Sequence, residues 1–285
     1  MSFKRFVVLL TLGWLGLFVL LPHLLVVLTS LLTADPRQLA TYPFTLESYR
    51  RLWEPIYAGV FWHSLWLSGL TTLACVVLGY PFAYIVARMP RGRRGLLLFL
   101  MVIPFWTNSL IRTYAIKALL GSKGLINGAL LAAGLVERPL QLIYTEFAVI
   151  VGLVYLLLPF FVLPLIASFD KLDRGLLEAA RDLGAGPWRR FLDVVLPLTM
   201  PGVVAGCLIV FLPAMGMFYV SDLLGGARNL LLGNVIKNQF MLSRDWPFGA
   251  AISVALILIM ALLLWLYLLA NRRIRRQGGL HDEAL

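Results

Sequence analysis

Six long apolar runs dominate the chain and restrict it to one class of fold. An α-helix needs about 20 residues to cross a bilayer core of about 30 Å, and each run reaches that length. The runs are Phe6–Leu32, Val60–Ala87, Leu96–Leu120, Glu146–Phe169, Leu198–Val220 and Phe248–Ala270. Charged residues make up only 14% of the chain, against about a quarter in soluble domains. The sequence therefore predicts an all-α polytopic membrane protein with six transmembrane helices.

The first run follows a basic start, as the apolar core of a secretory signal peptide does. Phe6–Leu32 is longer than such a core, however, and no A-x-A-like cleavage site closes it. We therefore expect this run to be retained as the first transmembrane helix.

The distribution of Lys and Arg predicts how the helices are oriented. Fifteen of the 25 basic residues lie near the two termini or in the connections after the second and fourth runs. The three opposite loops, which hold eight, are Thr33–Gly59, Gly121–Thr145 and Ser221–Pro247. By the positive-inside rule, both termini are predicted to be cytoplasmic. The same distribution explains the net charge of +11 without a nucleic-acid partner.

The cytoplasmic connection after the fourth run is rich in charged residues and is interrupted by Gly and Pro. Asp170 or Asp173 can cap a helix that begins near Leu172, and Gly184 can end it in the left-handed conformation. Pro187 suits the first turn of a second helix, which we expect to stop before the next span. The apolar positions of the first helix share one face: Leu172, Leu176, Ala179, Ala180 and Leu183. An interfacial helix-turn-helix held by lipid headgroups would explain this pattern, with Trp188, Arg189 and Arg190 at the membrane surface.

The residue spacing in this connection resembles a motif of the permease subunits of bacterial ABC importers. That motif reads EAA, three residues, G, nine residues, I, one residue, LP. The chain has Glu178, Ala179 and Ala180, then Gly184, then Val194 in place of Ile, and then Leu196 and Pro197, with every gap matching.

The resemblance implies a fold and a role for the motif. It implies one transmembrane domain over residues 1–285, with the MetI-like fold of type I ABC importer permeases. The segment 170–197 would then be a coupling helix that docks on an ATP-hydrolysing subunit. Glu178, Ala179, Ala180, Gly184, Leu196 and Pro197 are the implied coupling residues.

Four further stretches resemble the spermidine/putrescine permeases within this family. They are Val77–Pro90, Ile103–Ala115, Leu212–Ala227 and Arg244–Ala251. The resemblance implies an inner-membrane permease for polyamines, with another small solute as the alternative. It also implies two ATP-binding subunits that hold ATP and Mg, a second related permease and a periplasmic binding protein.

The chain itself carries no sequence signature of an enzyme. None of its lysines follows a glycine, so the Gly-Lys-Ser/Thr of a P-loop is absent. Cys75 and Cys207 lie within apolar runs, which argues against a disulfide framework or a metal site. We therefore expect no catalytic residues, metal or cofactor in this chain. An ion-coupled secondary transporter is the remaining alternative. Such proteins usually need ionisable groups deep in the bilayer, and four of the six runs have no Asp, Glu, Lys or Arg in their middles.

Acidic and aromatic side chains near the outer ends of the spans are candidates for a polyamine pathway, because aromatic faces attract ammonium groups. The candidates are Trp106, Asn108, Tyr114, Tyr219, Asp222 and Tyr49. Each has another explanation: Trp and Tyr form interfacial belts in any membrane protein, and Asp222 can cap a loop. Arg112 would oppose a cation site if it faced the pathway; pairing with Asp222 or Glu146, or binding a partner permease, are the other possibilities.

Overall fold

The structure, a computed structural model, describes residues 3–35 and 39–278. Within these residues the chain is helical apart from turns, loops and one isolated bridge between Thr33 and Thr41. The helices are α1 (Phe3–Leu15), α2 (Leu21–Ser30), α3 (Glu47–Arg51), α4 (Pro55–Ala87), α5 (Arg91–Val102), α6 (Ser109–Leu120), α7 (Leu125–Ala132), α8 (Glu146–Phe169), α9 (Arg174–Asp182), α10 (Pro187–Arg190), α11 (Leu196–Gly216), α12 (Phe218–Val220), α13 (Leu232–Met241) and α14 (Trp246–Gly278).

Six helical segments among the described residues are long and apolar enough to cross a membrane. They are Arg5–Ser30, Pro55–Ala87, Ser109–Ala132, Glu146–Phe169, Pro187–Gly216 and Trp246–Leu269. The predicted all-α class and the predicted number of spans are confirmed. The first segment combines α1, a π turn and α2, and its side chains are exposed along almost its whole length.

The predicted third run, Leu96–Leu120, was wrong in its boundaries. The chain breaks into α5, a short 3₁₀ turn that contains Pro104, and α6. Asn108 begins α6 because its side-chain oxygen accepts a hydrogen bond from the Leu110 N–H at 2.8 Å. The third span is therefore Ser109–Ala132, which includes α7. Hydropathy missed the break because the residues around Pro104, namely Ile103, Phe105 and Trp106, are themselves apolar and continue the apolar run of α5.

The predicted start of the fifth span was also wrong. A separate second helix was expected to stop where Pro197 begins the span. Instead, α10, a π turn over Phe191–Val195 and α11 follow one another as a single helical segment. Pro197 lies in the first turn of α11 after the π turn, where a missing N–H is tolerated. The segment that carries the motif therefore leads directly into the membrane-spanning helix.

Contacts divide the chain into two compact units. Unit 1 contains Met1–Trp62 and Leu232–Ala261, and unit 2 contains His63–Leu231 and Leu262–Leu285. In unit 2, α8 and α11 pack closely along their lengths. The fully buried ring of Phe161 lies in this contact, opposite Gly206 on α11.

Gly206 is required for the close approach of α8 and α11. A Cβ at this position would lie 2.8 Å from a ring carbon of Phe161 and 2.9 Å from the Phe161 carbonyl oxygen. The carbonyl belongs to a helix backbone and cannot move aside as a flexible side chain can. We therefore expect Gly206→Ala to lower the free energy of unfolding by about 1–3 kcal/mol. Thermal unfolding of the purified protein in detergent measures the loss.

Gly69 on α4 is the matched control for this prediction. It is another glycine within a spanning helix of unit 2, and nothing lies within 4 Å of the position that its Cβ would take. Because alanine favours helix by about 1 kcal/mol over glycine, Gly69→Ala should leave stability unchanged or raise it. Equal destabilisation by both substitutions would contradict the assigned helix contact.

Candidate functional site

The motif-bearing helix α9 has clear start and stop signals. Its first turn is capped by Asp173, whose carboxylate accepts a hydrogen bond from the Gly175 N–H at 2.9 Å. At the other end, Gly184 has φ +79°, and its N–H donates to the Arg181 carbonyl at 2.9 Å. The Ala185 N–H reaches further back, to the Ala180 carbonyl at 3.0 Å. The predicted helix and its glycine stop are thus confirmed, and the turn after the EAA triplet is held by backbone hydrogen bonds.

Of the two predicted caps, Asp173 is confirmed and Asp170 is wrong. Asp170 forms a bidentate ion pair with Arg94, with nitrogen–oxygen distances of 2.6 and 2.5 Å. Arg94 lies in the first turn of α5, and Asp170 follows the last residue of α8. The pair therefore joins the ends of two helices just before α9 begins. Its hydrogen bond to Arg94 holds the pKa of the Asp170 carboxyl below its usual range.

This ion pair predicts a small, pH-dependent contribution to stability. A carboxyl with a lowered pKa stabilises the fold above its ordinary pKa, and that stabilisation is lost as the pH falls through the lowered value. The Asp170 side chain is 47% exposed, so Asp170→Asn should cost less than about 1 kcal/mol at neutral pH. A double-mutant cycle with Arg94→Gln, measured by thermal unfolding, gives the coupling free energy. A coupling that persists below the lowered pKa would contradict the assignment.

The predicted apolar face of α9 is divided between two environments. Leu172 and Ala180 are half-buried, whereas Leu176 is 48% and Leu183 88% exposed. Leu177, which was not assigned to that face, packs inward instead. Glu178 and Ala179 are exposed beside Leu176 and Leu183. Glu178 and Ala179 therefore lie on a partly apolar surface that the described residues leave uncovered.

The last two motif residues, Leu196 and Pro197, lie in the first turn of α11. Two residues further on, the buried Thr199 hydroxyl forms a hydrogen bond with the Tyr80 hydroxyl on α4 at 2.9 Å. The Tyr80 ring also packs against Phe191 in the π turn, with centroids 5.8 Å apart. The motif segment is thus attached to two spanning helices within unit 2.

Five of the six candidate pathway residues lie in unit 2. Trp106 and Tyr114 are exposed, at 76% and 56%, and the Asn108 side chain is used to cap α6. Tyr219 is half-buried in α12, and Asp222 is exposed in the π turn that follows. This turn packs against α6, so the elements that carry Asn108, Tyr114 and Asp222 are neighbours.

The sixth candidate, Tyr49, lies in unit 1 among contacts of a different kind. Its hydroxyl is 2.7 Å from the Ser30 hydroxyl, within hydrogen-bond distance. Its ring lines a cavity of about 380 Å³ together with Trp53, Tyr57 and Phe61. The residues lining this cavity carry no charge, so it lacks the carboxylate that a polyamine requires.

Arg112 is held by aromatic rings rather than by a carboxylate. Its guanidinium carbon is 4.5 Å from the ring centroid of Phe105 and 6.0 Å from that of Tyr155. Its Nε and Nη1 atoms are buried and have no hydrogen-bond partner among the described residues. Pairing with Asp222 or Glu146 is therefore not observed. Glu146 instead lies 3.9 Å from the ring nitrogen Nδ1 of His63.

Sequence reasoning missed a buried polar stripe on α4. Ser64, Ser68 and Thr71 are fully buried, three or four residues apart on one helix face. The Ser68 and Thr71 hydroxyl oxygens have no hydrogen-bond partner in the described part of the chain. The spacing was visible in the sequence as small polar residues at helical period within an apolar run, a pattern that places them inside a helix bundle.

Comparison with known proteins decides the family. A family model described as the binding-protein-dependent transport system inner membrane component matches residues 79–276. The chain belongs to this permease family. It is 54% identical over 276 residues to the spermidine/putrescine transport system permease protein PotB of Haemophilus influenzae, covering 97% of this chain and 96% of that protein. PotB of Escherichia coli K12 is 55% identical over 265 residues, covering 93% of this chain and 96% of its own length.

Solved structures of permeases agree with the fold. A chain of a bacterial alginate ABC transporter in complex with a pentasaccharide-bound periplasmic protein superposes with a TM-score of 0.76 at 17% identity, covering 95% of this chain and 94% of that one. A chain of the MetNI methionine ABC transporter gives a TM-score of 0.52 at 18% identity, covering 78% and 98%. The MetI-like fold and the family resemblance noted from the motif are confirmed.

Proposed function

We propose that this permease is the inner-membrane subunit of an ATP-driven importer that translocates polyamines, spermidine or putrescine, delivered by a periplasmic binding protein. The observation that best supports this substrate class is the 54% identity to PotB across 97% of the chain. A related importer of another small solute is the second candidate, since the chains that share this fold include one from a methionine transporter.

In this proposal, α9 and the turn after it couple the permease to ATP hydrolysis on a separate subunit. Glu178 offers a carboxylate to a basic partner, while Ala179 and Ala180 allow close approach. Gly184 sets the turn, and Leu196 and Pro197 begin α11, the longest helix of the span that receives the movement. The exposed Leu176 and Leu183 support this role, because an uncovered apolar surface beside a charged motif suits a protein partner. Two ATP-binding subunits would hold the ATP and Mg.

The distribution of charge and of exposed apolar surface supports a proposed orientation of the chain and a proposed pairing with a second permease. The positive-inside rule supports cytoplasmic termini, although residues 1–2 and 279–285 lie outside the described residues. The exposed first span, Arg5–Ser30, suits contact with lipid or with a second, related permease. We propose that residues 1–285 act as one transmembrane domain within such a heterodimer.

The pathway for the polyamine would pass Trp106, Tyr114, Tyr219 and Asp222, close to the helix start that Asn108 caps. The exposed Asp222 carboxylate and the aromatic faces supply the two kinds of contact that attract ammonium groups. Tyr49 is a weaker candidate for contact with the polyamine, because its hydroxyl lies within hydrogen-bond distance of the Ser30 hydroxyl and it lines an apolar cavity.

Uptake in proteoliposomes tests the proposal. The chain is reconstituted with its operon-encoded partners, ATP is enclosed, and the binding protein and labelled spermidine or putrescine are added outside. We expect uptake that needs both ATP and the binding protein. ATP hydrolysis stimulated by the binding protein without uptake of either polyamine would favour another solute, and uptake independent of ATP would favour a secondary transporter.

A further inference from the structure

Two adjoining chambers open at the end of unit 2 that carries the EAA motif. The larger, of about 320 Å³, is lined by Tyr84, Ala87, Arg88, Phe169, Leu172, Leu177 and Glu178. The smaller, of about 100 Å³, is lined by Tyr84, Arg88, Leu177, Pro187, Arg190, Phe191 and Val195. Tyr84, Arg88 and Leu177 line both chambers and separate them. The smaller one has several times the space that a single water molecule needs.

The smaller chamber is positively charged and has an unused hydrogen-bond donor. Its two ionisable side chains besides Tyr84 are Arg88 and Arg190. The Arg88 side chain is exposed, and its guanidinium lies over the Tyr84 ring, 3.9 Å from the ring centroid, a contact that favours this position of the charge. The Arg190 Nε atom is buried and has no hydrogen-bond partner among the described residues. No described carboxylate forms an ion pair with either arginine.

These features select an anion with several acceptor oxygens. Arginine presents its donors in a planar fork that matches phosphate or carboxylate oxygens. The Glu178 carboxylate lines only the larger chamber, so repulsion places the anion in the smaller one. A buried donor without a partner is unfavourable, and an oxyanion between Arg88 and Arg190 would satisfy it.

The position of the chambers along the spanning helices favours a phosphate from the membrane surface. The second and fourth spans end at Ala87 and Phe169, and the fifth begins at Pro187, all three at the chamber walls. Trp188 next to the wall is 72% exposed, as expected for a tryptophan at the headgroup level. Basic pockets between membrane helices at this depth bind the phosphates of anionic lipids.

We propose that the chamber between Arg88 and Arg190 binds the phosphate of an anionic phospholipid or a free phosphate at the membrane surface. The cytoplasmic leaflet follows from the proposed orientation, whereas the binding itself does not depend on transport. Leu177 lines both chambers and directly precedes Glu178 in α9. A bound phosphate would therefore lie against the helix that carries the EAA motif.

Lipid binding to the purified, delipidated complex tests this site. Native mass spectrometry would measure the affinity for phosphatidylglycerol and for a diacylglycerol with the same acyl chains and no phosphate. We expect the double variant Arg88→Gln/Arg190→Gln to bind phosphatidylglycerol more weakly, by about fivefold for each arginine removed, with diacylglycerol binding unchanged. Inorganic phosphate that displaces phosphatidylglycerol from the unaltered protein would show that the site also accepts the free ion.

The matched control is Arg91→Gln/Arg93→Gln, which removes two exposed arginines of the same segment that do not line either chamber. Equal weakening by both double variants, or no preference of the unaltered protein for phosphatidylglycerol over diacylglycerol, would overturn the proposal. If the first variant does not fold, the unaltered complex is labelled with a phosphatidylglycerol that carries a photoactivatable headgroup. Cross-links to the peptides containing Tyr84–Arg88 or Arg190 support the site, and their absence from both peptides overturns it. Because the readout is lipid binding, it is independent of whether the complex transports a polyamine.

Discussion

Replacing Glu178 by lysine is expected to lower ATP-driven uptake by about 30-fold, which corresponds to about 2 kcal/mol, the lower end of the binding free energy lost when a buried, hydrogen-bonded charge pair in an interface is broken. Glu178 is exposed on α9 and forms no ion pair with the described residues of its own chain. Its carboxylate therefore remains available to a partner. Because this exposed side chain forms no ion pair with the described residues of its own chain, membrane insertion and thermal stability should be unchanged.

The measurement is uptake of labelled polyamine in proteoliposomes, with ATP hydrolysis recorded in the same vesicles. Glu178→Gln keeps the shape and removes the charge, and it should give an intermediate loss. Glu137→Lys is the matched control, since Glu137 is also exposed but lies in the connection between α7 and α8, away from the motif. Normal uptake by Glu178→Lys would exclude this residue from the coupling contact.

The sequence could predict the motif segment well because its structure is set by local chemistry. An Asp at a helix start, a glycine that adopts φ +79° and a proline after the turn act within a few residues of one another. Such signals do not depend on distant parts of the chain. The number of spans was predictable for the same reason, because the length and apolarity of a run suffice.

The contacts that place the segment could not be predicted in this way. Asp170 was a reasonable cap, and only the folded chain brings Arg94 within 2.6 Å of its carboxylate. Leu177 packs against the buried core of unit 2 whereas Leu176 is exposed, because the rest of that unit decides which face of α9 is covered. The break at Pro104 was hidden by apolar neighbours on both sides. The first two features depend on residues far apart in the sequence. The third depends on the hydrogen bond by which Asn108 caps α6, which a hydropathy profile does not represent.

The pathway candidates show the limit of residue type as a guide to function. Tyr49 and Tyr114 were chosen by the same reasoning, yet the Tyr49 hydroxyl lies within hydrogen-bond distance of Ser30 and the Tyr114 ring is exposed. Arg112, whose role the sequence left open, lies over the Phe105 ring, and two of its buried nitrogens have no hydrogen-bond partner in the part of the chain that the structure describes. A side chain that has no partner in its own chain is a better candidate for substrate or subunit contact than an aromatic residue chosen by position.

Gly184→Pro is expected to uncouple ATP hydrolysis from uptake by destroying the turn after the EAA triplet. Proline requires φ near −65°, whereas Gly184 has φ +79°. The substitution also removes the N–H that donates to the Arg181 carbonyl at 2.9 Å. These two conflicts should destabilise the local turn by more than about 1 kcal/mol. The turn maintains the arrangement of the surface that carries Glu178, Leu176 and Leu183. Destabilising the turn should therefore disturb this surface, which is the proposed contact with the ATP-hydrolysing subunit.

Gly186 provides a control for this prediction two residues further along the chain. Its φ is −65° and its ψ 166°, values that proline adopts without strain. Nothing lies within 4 Å of the position of its Cβ. Gly186→Pro should therefore retain both uptake and coupled hydrolysis, whereas Gly184→Pro should lose uptake although the protein still inserts in the membrane. If both variants transported normally, the shape of this turn would not matter for coupling; if both failed, the loss would come from proline in the segment rather than from the left-handed turn at Gly184.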